Sequence, residues 1–134
     1  MKSILVLTHA DETGSTLTRA SLEAVTSGME LAARLSIPLA IGIVAADSSA
    51  ASTALASAGA RLLTVSGEAF AQARYSSDAA AVEALCRAAE ATIVLAPSSS
   101  RFARVAAGVA HRLGGFIDTH ITALGGTETV EATR

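Results

Sequence analysis

The sequence predicts a single α/β domain of the Rossmann-like, three-layer type, built on a mostly parallel five-stranded sheet in the order 3-2-1-4-5. Short apolar runs of strand length recur along the chain, and amphipathic helical segments separate them. Such alternation produces right-handed βαβ units and a parallel sheet with helices on both faces. The composition agrees, because 51% hydrophobic but only 3% aromatic residues favour helices packed closely on a sheet. A length of 134 residues suits one domain.

The predicted elements follow one another in a regular order. Five apolar runs are expected to be strands, at residues 3–8, 38–46, 61–66, 92–96 and 116–124. Helices are expected at residues 18–36, 68–74, 78–91 and 96–115, with a short alanine-rich helix that Asp47 or Ser48 caps and Gly59 ends. Residues 75–77 are predicted to separate two consecutive helices, with Ser77 or Asp78 capping the second. We expect the domain to span residues 1–124, before a polar tail at 125–134.

The charge balance and the single cysteine exclude several classes of function. Ten basic and twelve acidic residues leave a net charge of −2, and the chain has no Trp and one Tyr. This composition supplies neither a basic field for nucleic acid or anionic membrane nor a platform for stacking bases. Cys86 is the only cysteine, so an internal disulfide is excluded. The opening apolar run is too short for a secretory signal, so we expect a cytoplasmic location.

A polar rim is predicted where the first and fourth strands end. In a sheet of this order, ligands collect at the carboxyl ends of those two strands, where the strand order reverses. The candidate cofactor-binding residues on this rim are Ser98, Ser99, Ser100, Arg101, His9 and Asp11. The free N–H groups of a helix N-terminus give an anion a physical reason to bind there. The alternative is that one serine is only the N-cap, and residues 97–107 lack a glycine or any GxGxxG or P-loop motif.

The helix after the fourth strand has two contrasting faces. Its predicted core stripe consists of Phe102, Val105, Ala106, Val109, Ala110 and Leu113. The opposite face carries a basic set with a mid-helix glycine, formed by Arg101, Arg104, Gly108, His111 and Arg112. A flat position inside a basic face would let another backbone or an acidic partner approach closely. The alternative is a solvated face with a tolerated glycine, which costs about 0.5–1 kcal/mol relative to alanine.

A third group contains residue types that bind metals or transfer protons. His9, Asp11 and Glu12 follow the first strand, and Asp118 and His120 alternate on the predicted fifth strand. Nothing in the sequence brings the two sets together, so polar strand ends are the alternative interpretation. No nucleophile paired with a base is apparent either. We therefore expect no catalytic residue and no metal site.

Three segments of the sequence carry a family resemblance. Residues 4–32 combine a strand, a short acidic loop with glycine, and a helix; residues 57–66 (SAGARLLTVS) lead into the third strand; residues 92–124 contain a strand, a hydroxyl-rich loop and a helix. The matching positions are Ala20, Ser21, Leu22, Glu23, Thr26, Pro97, Ser99, Val109, Ala110, Arg112 and Leu113. In this order, the segments resemble the amino-terminal domain of the electron transfer flavoprotein alpha subunit.

The resemblance implies an adenine-nucleotide-hydrolase-like fold and a role beside a flavin. The family's alpha subunits continue into a second domain that holds most FAD contacts, and this sequence shows no counterpart. We therefore expect a non-catalytic scaffold and subunit-contact module, with FAD in the full complex but not on this chain alone. The implied partner is a beta-type subunit or a separate flavin domain. The contact would involve the basic face of Arg101, Arg104, Gly108, His111 and Arg112.

Departures from the family pattern fall on the candidate residues. Phe102, Ala103 and Arg104 stand where the family usually has a Gly, a basic residue and an Asp or Asn, and Ala107-Gly108 replaces its Pro-Arg. His9 replaces a glutamate typical of the position after the first strand, and His120 falls at an aspartate.

Other functions remain open at this point. A universal-stress-protein-like nucleotide-binding module would need a glycine-bearing phosphate loop after the fourth strand. A small hydrolase or transferase would need a nucleophile with a base. A ligand-free, self-associating α/β domain, present as a homo-oligomer, is the third alternative.

Overall fold

The structure, a computed structural model, describes residues 2–11, 16–115, 117, 123–125 and 131–133. Its strands are β1 (Ile4–His9), β2 (Leu39–Ala45), β3 (Arg61–Ser66), β4 (Ile93–Leu95), β5 (Ala123–Gly125) and β6 (Glu131–Thr133). Its α-helices are α1 (Arg19–Leu35), α2 (Ser49–Leu55), α3 (Tyr75–Ala89) and α4 (Ser100–Arg112), with short 3₁₀ turns at Ala56–Ala58 and Glu68–Phe70.

The main sheet is parallel and has the strand order β3-β2-β1-β4. The predicted α/β class and the order 3-2-1-4 are therefore confirmed, but the prediction of a fifth strand in this sheet is wrong for the described residues. Ala123–Gly125, at the end of the predicted fifth strand, pairs antiparallel with Glu131–Thr133 in a separate two-stranded sheet. Antiparallel pairing needs only a short connection, whereas a parallel strand needs a crossover. Of residues 116–122, the structure describes only Ile117.

The second sheet joins β5, which crosses the predicted boundary between residues 124 and 125, to β6 inside the predicted polar tail. The division into a domain at 1–124 and a tail at 125–134 stays a prediction.

Side chains of β1 and β2 alternate between two apolar cores, one on each face of the main sheet. Ile4 and Val6 of β1 point toward α1 and α2, together with Ile41 and Ile43 of β2. Leu5 and the other residues that alternate with these point to the opposite face of the sheet. The second core is completed by α3 and α4 through Ala79, Val82, Leu85, Phe102, Val105 and Val109. All residues of β1 are buried, so both cores depend on this strand. The layers are therefore helix, sheet and helix, as expected.

Helix α3 starts one turn earlier than the sequence predicts. Tyr75 is its first residue, so residues 75–77 form the first helical turn and do not separate two helices. The predicted helix at 68–74 is only a 3₁₀ turn, Glu68–Phe70. Arg74 is the N-cap, and its backbone N–H donates to Oδ2 of Asp78 at 3.2 Å. Because this carboxylate reaches back to the cap, it stabilises a start before Asp78.

Candidate functional site

The ends of β1 and β4 meet through a side-chain hydrogen bond. Nε2 of His9, the last residue of β1, lies 2.8 Å from Oγ of Ser99, the N-cap of α4. The two strands are neighbours in the sheet, and the loop after β4 turns toward the end of β1. Ser98 and Ser100 flank this contact and are exposed, whereas Ser99 is half-buried. Asp11, half-buried, lies two residues beyond His9.

His9 is held on both sides of its ring and along its backbone. Its backbone N–H donates to Oγ of Ser21 on α1 at 3.0 Å, and its ring packs edge-on against Phe102 of α4 with centroids 4.8 Å apart. Nδ1 lies 2.8 Å from the carbonyl oxygen of Ala10. Because a carbonyl oxygen only accepts, Nδ1 carries the hydrogen of the neutral ring, and Nε2 accepts from the Ser99 hydroxyl. The contacts thus select one tautomer and one ring orientation.

The surroundings keep the His9 imidazole uncharged near neutral pH. Only 6% of the residue is exposed, and this burial lowers its pKa below the ordinary value of 6.5. The carbonyl of Ala10 opposes that effect, the positive charge of Arg101 adds to it, and the negative charge of Asp78 opposes it. A neutral imidazole with a free lone pair on Nε2 is a proton acceptor.

Arg101 was predicted both on the rim and on the basic outer face of α4, and its placement on the exposed face is wrong. It is 7% exposed, and its guanidinium donates from Nε and Nη2 to the two carboxylate oxygens of Asp78, each at 2.9 Å. Nη2 also donates to the carbonyl of Phe70 at 2.9 Å. Asp78 is 1% exposed, and a buried carboxylate requires a counter-charge. The pair therefore ties α4 to α3 and to the preceding 3₁₀ turn.

The outer face of α4 keeps the remaining basic side chains. Arg104, His111 and Arg112 are exposed, and Nη1 of Arg112 lies 4.0 Å from Oε2 of Glu83 on α3. Gly108 is half-buried, and a Cβ at this position would overlap the hydroxyl of Tyr75 from α3. The flat position predicted at Gly108 is therefore not open to a partner, because the Tyr75 side chain covers it.

The N-cap side chain does not cap the first turn of α4. Ser99 occupies the predicted N-cap position, but its hydroxyl contacts His9 and does not bond the N–H groups of the first turn. Its own N–H donates to the carbonyl of Pro97 at 2.8 Å. Uncapped N–H groups carry partial positive charge, so the end of α4 beside Ser98 and Ser100 is suited to hold negative charge.

The other candidates of the sequence analysis give no site in the part of the chain that the structure describes. Those residues contain no cluster of three or more His, Cys, Asp or Glu side chains placed to hold a metal ion. Glu12, Asp118 and His120 lie outside the described residues. Cys86 is buried, as expected for a small apolar residue, and burial raises the pKa of its thiol to about 11. None of the described helices is both long and apolar enough to span a membrane.

The pairing of Ser99 with His9 is the feature that sequence reasoning missed. The sequence analysis saw no hydroxyl beside a base, whereas the structure places Oγ of Ser99 2.8 Å from Nε2 of His9, across 90 positions of sequence. The available signal was the strand order, which places the ends of β1 and β4 on one rim. That argument brings the segments together but does not select one serine among three.

Comparison with known proteins agrees with the resemblance seen in the sequence. The family model for the electron transfer flavoprotein domain matches residues 6–134. A comparison with curated proteins finds no match. The family match includes the rim residues His9 and Ser99, all of α1 to α4, and β2 to β6. Because it covers nearly the whole sequence, the chain belongs to the electron transfer flavoprotein domain family.

Proposed function

We propose that the chain is an alpha-type, amino-terminal domain of an electron transfer flavoprotein. In this role it is a scaffold that contacts a beta-type subunit or a separate flavin domain and supports flavin-mediated electron transfer. By itself it forms no complete flavin site, and it catalyses no reaction of its own in that complex. Family membership supports the role in electron transfer. The outer face of α4 is the observation that supports the contact with another subunit.

The α4 outer face, defined as Arg104, Ala107, His111 and Arg112, combines exposure with rigidity. All four residues are exposed, and Arg104 and His111 lie two helical turns apart on one side of the helix. Behind them, three buried apolar side chains of α4 and the ion pair of Arg101 hold the helix on the sheet. A rigid surface with positive charge and a small central residue suits a partner whose facing surface is acidic.

Charge reversal on this face tests the proposed contact. We would measure the affinity of the full chain for a beta-type electron transfer flavoprotein subunit in the presence of FAD. The double variant Arg104→Glu with His111→Glu should weaken binding at least about tenfold, because like charges then face each other. The matched control is Arg19→Glu on α1, in the opposite helical layer, which should bind as the unmodified chain does. Equal binding by all three proteins would refute the contact.

One observation favours the runner-up function, a nucleotide-binding module. The uncapped first turn of α4, beside exposed Ser98 and Ser100, is the kind of end on which a phosphate binds. Calorimetric titration of the chain with FAD, FMN, ATP and AMP separates the two proposals. The scaffold role predicts no tight binding of any of them to the chain alone. Tight binding of ATP or AMP without a flavin signal would favour the nucleotide-binding module.

A further inference from the structure

We infer that Ser99 is an activated nucleophile, with His9 as its general base, which takes an acyl group from small carboxylic esters and releases it to water. The distance of 2.8 Å between Nε2 of His9 and Oγ of Ser99 is the contact that carries the inference. It lies within the range in which a base removes the proton of an attacking hydroxyl. The proposal is independent of the electron-transfer role.

The orientation of the imidazole follows from its second nitrogen. Nδ1–H is held by the Ala10 carbonyl at 2.8 Å, so the lone pair of Nε2 points at the Ser99 hydroxyl. In hydrolytic triads a carboxylate holds the base in this way. Here a backbone carbonyl supplies the orienting acceptor, while Ser21 and Phe102 restrain the backbone and ring of His9. The base is therefore fixed before any substrate arrives.

Burial is the largest influence on the protonation state of His9. Burial keeps the imidazole neutral, so its lone pair is free to accept the proton. Two charged side chains, Arg101 from α4 and Asp78 from α3, act on the ring with opposite sign. When the ring gains a proton from Ser99, the negative charge of Asp78 stabilises it and the positive charge of Arg101 opposes it.

The nucleophile is partly exposed and has hydrogen-bond donors beside it. Ser99 is half-buried between two exposed serines, so the loop that carries its hydroxyl faces solvent. Ser99 is also the N-cap of α4, whose first-turn N–H groups receive no bond from the cap side chain. Such groups stabilise the oxyanion of a tetrahedral intermediate when the acyl carbon is bound at the helix end.

The reaction has two balanced halves. In the first, Oγ of Ser99 bonds to the ester carbon, its proton moves to Nε2 of His9, and the bond from carbon to the alkoxy oxygen breaks. The leaving alcohol takes the proton from His9. In the second half, water attacks the acyl-serine, His9 accepts a proton from that water and returns it to Ser99, and the carboxylic acid leaves.

A fluorophosphonate tests the nucleophile directly. Attack by Ser99 breaks the P–F bond, fluoride leaves, and the phosphonyl group stays on the serine. Peptide mapping by mass spectrometry of the full chain should place this adduct on Ser99. Ser98→Ala and Ser100→Ala are matched controls in the same loop and should label as the unmodified chain does. Ser99→Ala should lose the adduct, and His9→Gln should label about 100-fold more slowly, the range of general-base catalysis. Para-nitrophenyl acetate hydrolysis should show the same order.

A cysteine series keeps the proposal testable where His9→Gln does not fold, which circular dichroism would show. The rate of alkylation by iodoacetamide is measured at a series of pH values for Ser98→Cys, Ser99→Cys and Ser100→Cys. The signal of the buried Cys86, measured on the parent chain, is subtracted from each. Ser99→Cys should react at clearly lower pH than both neighbours, because Nε2 of His9 can take the thiol proton and the imidazolium so formed pairs with the thiolate. The two flanking positions share the same helix end but not this contact. Equal fluorophosphonate labelling of all three serines, or identical pH profiles for the three cysteines, would overturn the assignment.

Discussion

His9 joins three elements at a single residue. It ends β1, its backbone N–H contacts Ser21 of α1, and its ring contacts Ser99 and Phe102 of α4. A histidine held in this way is buried in its neutral form, and a proton added to Nε2 would remove the acceptor that Ser99 uses. The residue therefore links the stability of the rim to pH.

The pKa shift of His9 predicts a loss of stability in mild acid. Its folded-state pKa lies below the unfolded value of 6.5, so the unfolded chain binds this proton more readily between the two values. The contribution of His9 to the free energy of unfolding is therefore complete above about pH 6.5 and declines as pH falls toward the folded pKa. Urea unfolding at pH 7.5, 6.5 and 5.5 should show the free energy of unfolding falling with pH. The fall should be smaller in His9→Gln. His111→Gln, at an exposed histidine, should retain it; an unchanged slope in His9→Gln would contradict the prediction.

Gly108 and Tyr75 should be energetically coupled. Alanine favours a helix over glycine by about 0.5–1 kcal/mol, but a Cβ at Gly108 would overlap the Tyr75 hydroxyl. In a Tyr75→Ala background, Gly108→Ala should therefore stabilise the protein by that amount, while in the parent chain the gain should shrink or reverse. A double-mutant cycle by denaturant unfolding measures the difference. Additive effects of the two substitutions would show that Tyr75 does not cover Gly108.

Among elements, α3 and α4 are joined by a buried ion pair as well as by apolar packing. Arg101 donates two hydrogen bonds to the Asp78 carboxylate, and the carbonyl of Phe70 accepts a third from the same guanidinium. Phe102 and Val105 follow Arg101 directly on the buried side of α4. The pair thus positions the start of α4, the segment that also carries Ser99.

Removing one member of this pair should be costly. Asp78→Asn leaves the buried Arg101 without a counter-charge, and breaking such a pair typically costs about 3–5 kcal/mol of the free energy of unfolding. Glu83→Gln is the matched control, because Glu83 pairs with Arg87 at 3.4 Å in a partly exposed i,i+4 arrangement worth at most about 1 kcal/mol. Chemical denaturation of both variants gives the comparison. Similar losses in the two variants would mean that burial adds nothing to the Asp78 pair.

At the scale of the whole molecule, β1 and β2 serve both apolar cores. Each lies between two neighbouring strands, and all of β1 is buried. Among the described strands, β3 and β4 each have one neighbour in the main sheet, and Val94 on β4 is 40% exposed. The two cores therefore share their central strands and should unfold together.

Hydrogen exchange should report this arrangement. Backbone amides of β1 and β2 should exchange most slowly, with an opening free energy close to that of global unfolding, because both helical layers must separate to expose them. Amides of β4 should exchange faster, since that strand is short and pairs with only one of the described strands. Native-state exchange followed by NMR gives residue-level rates. Protection of β4 equal to that of β1 would contradict this order.

The parts of the fold that depend on local pattern were predicted closely. β3 has the predicted bounds, and α1 differs from its prediction by one residue at each end, because an apolar run or a 3.6-residue period is written in neighbouring positions. The predicted start of α3 was wrong. Serines at positions 76 and 77 favour a helix cap, but here the carboxylate of Asp78 bonds the backbone before them and lets the helix begin earlier.

The sequence by itself determined the α/β class, the order of the four parallel strands and the rim at which the first and fourth strands end. Only the tertiary structure decided what occupies that rim and which side of α4 is free. A helical wheel describes one helix, so it placed Arg101 and Gly108 outside, although α3 packs over both. In the same way, Ser99 meets His9 because two distant segments become neighbours in the sheet. Contacts of this kind depend on lateral packing, which local periodicity does not encode.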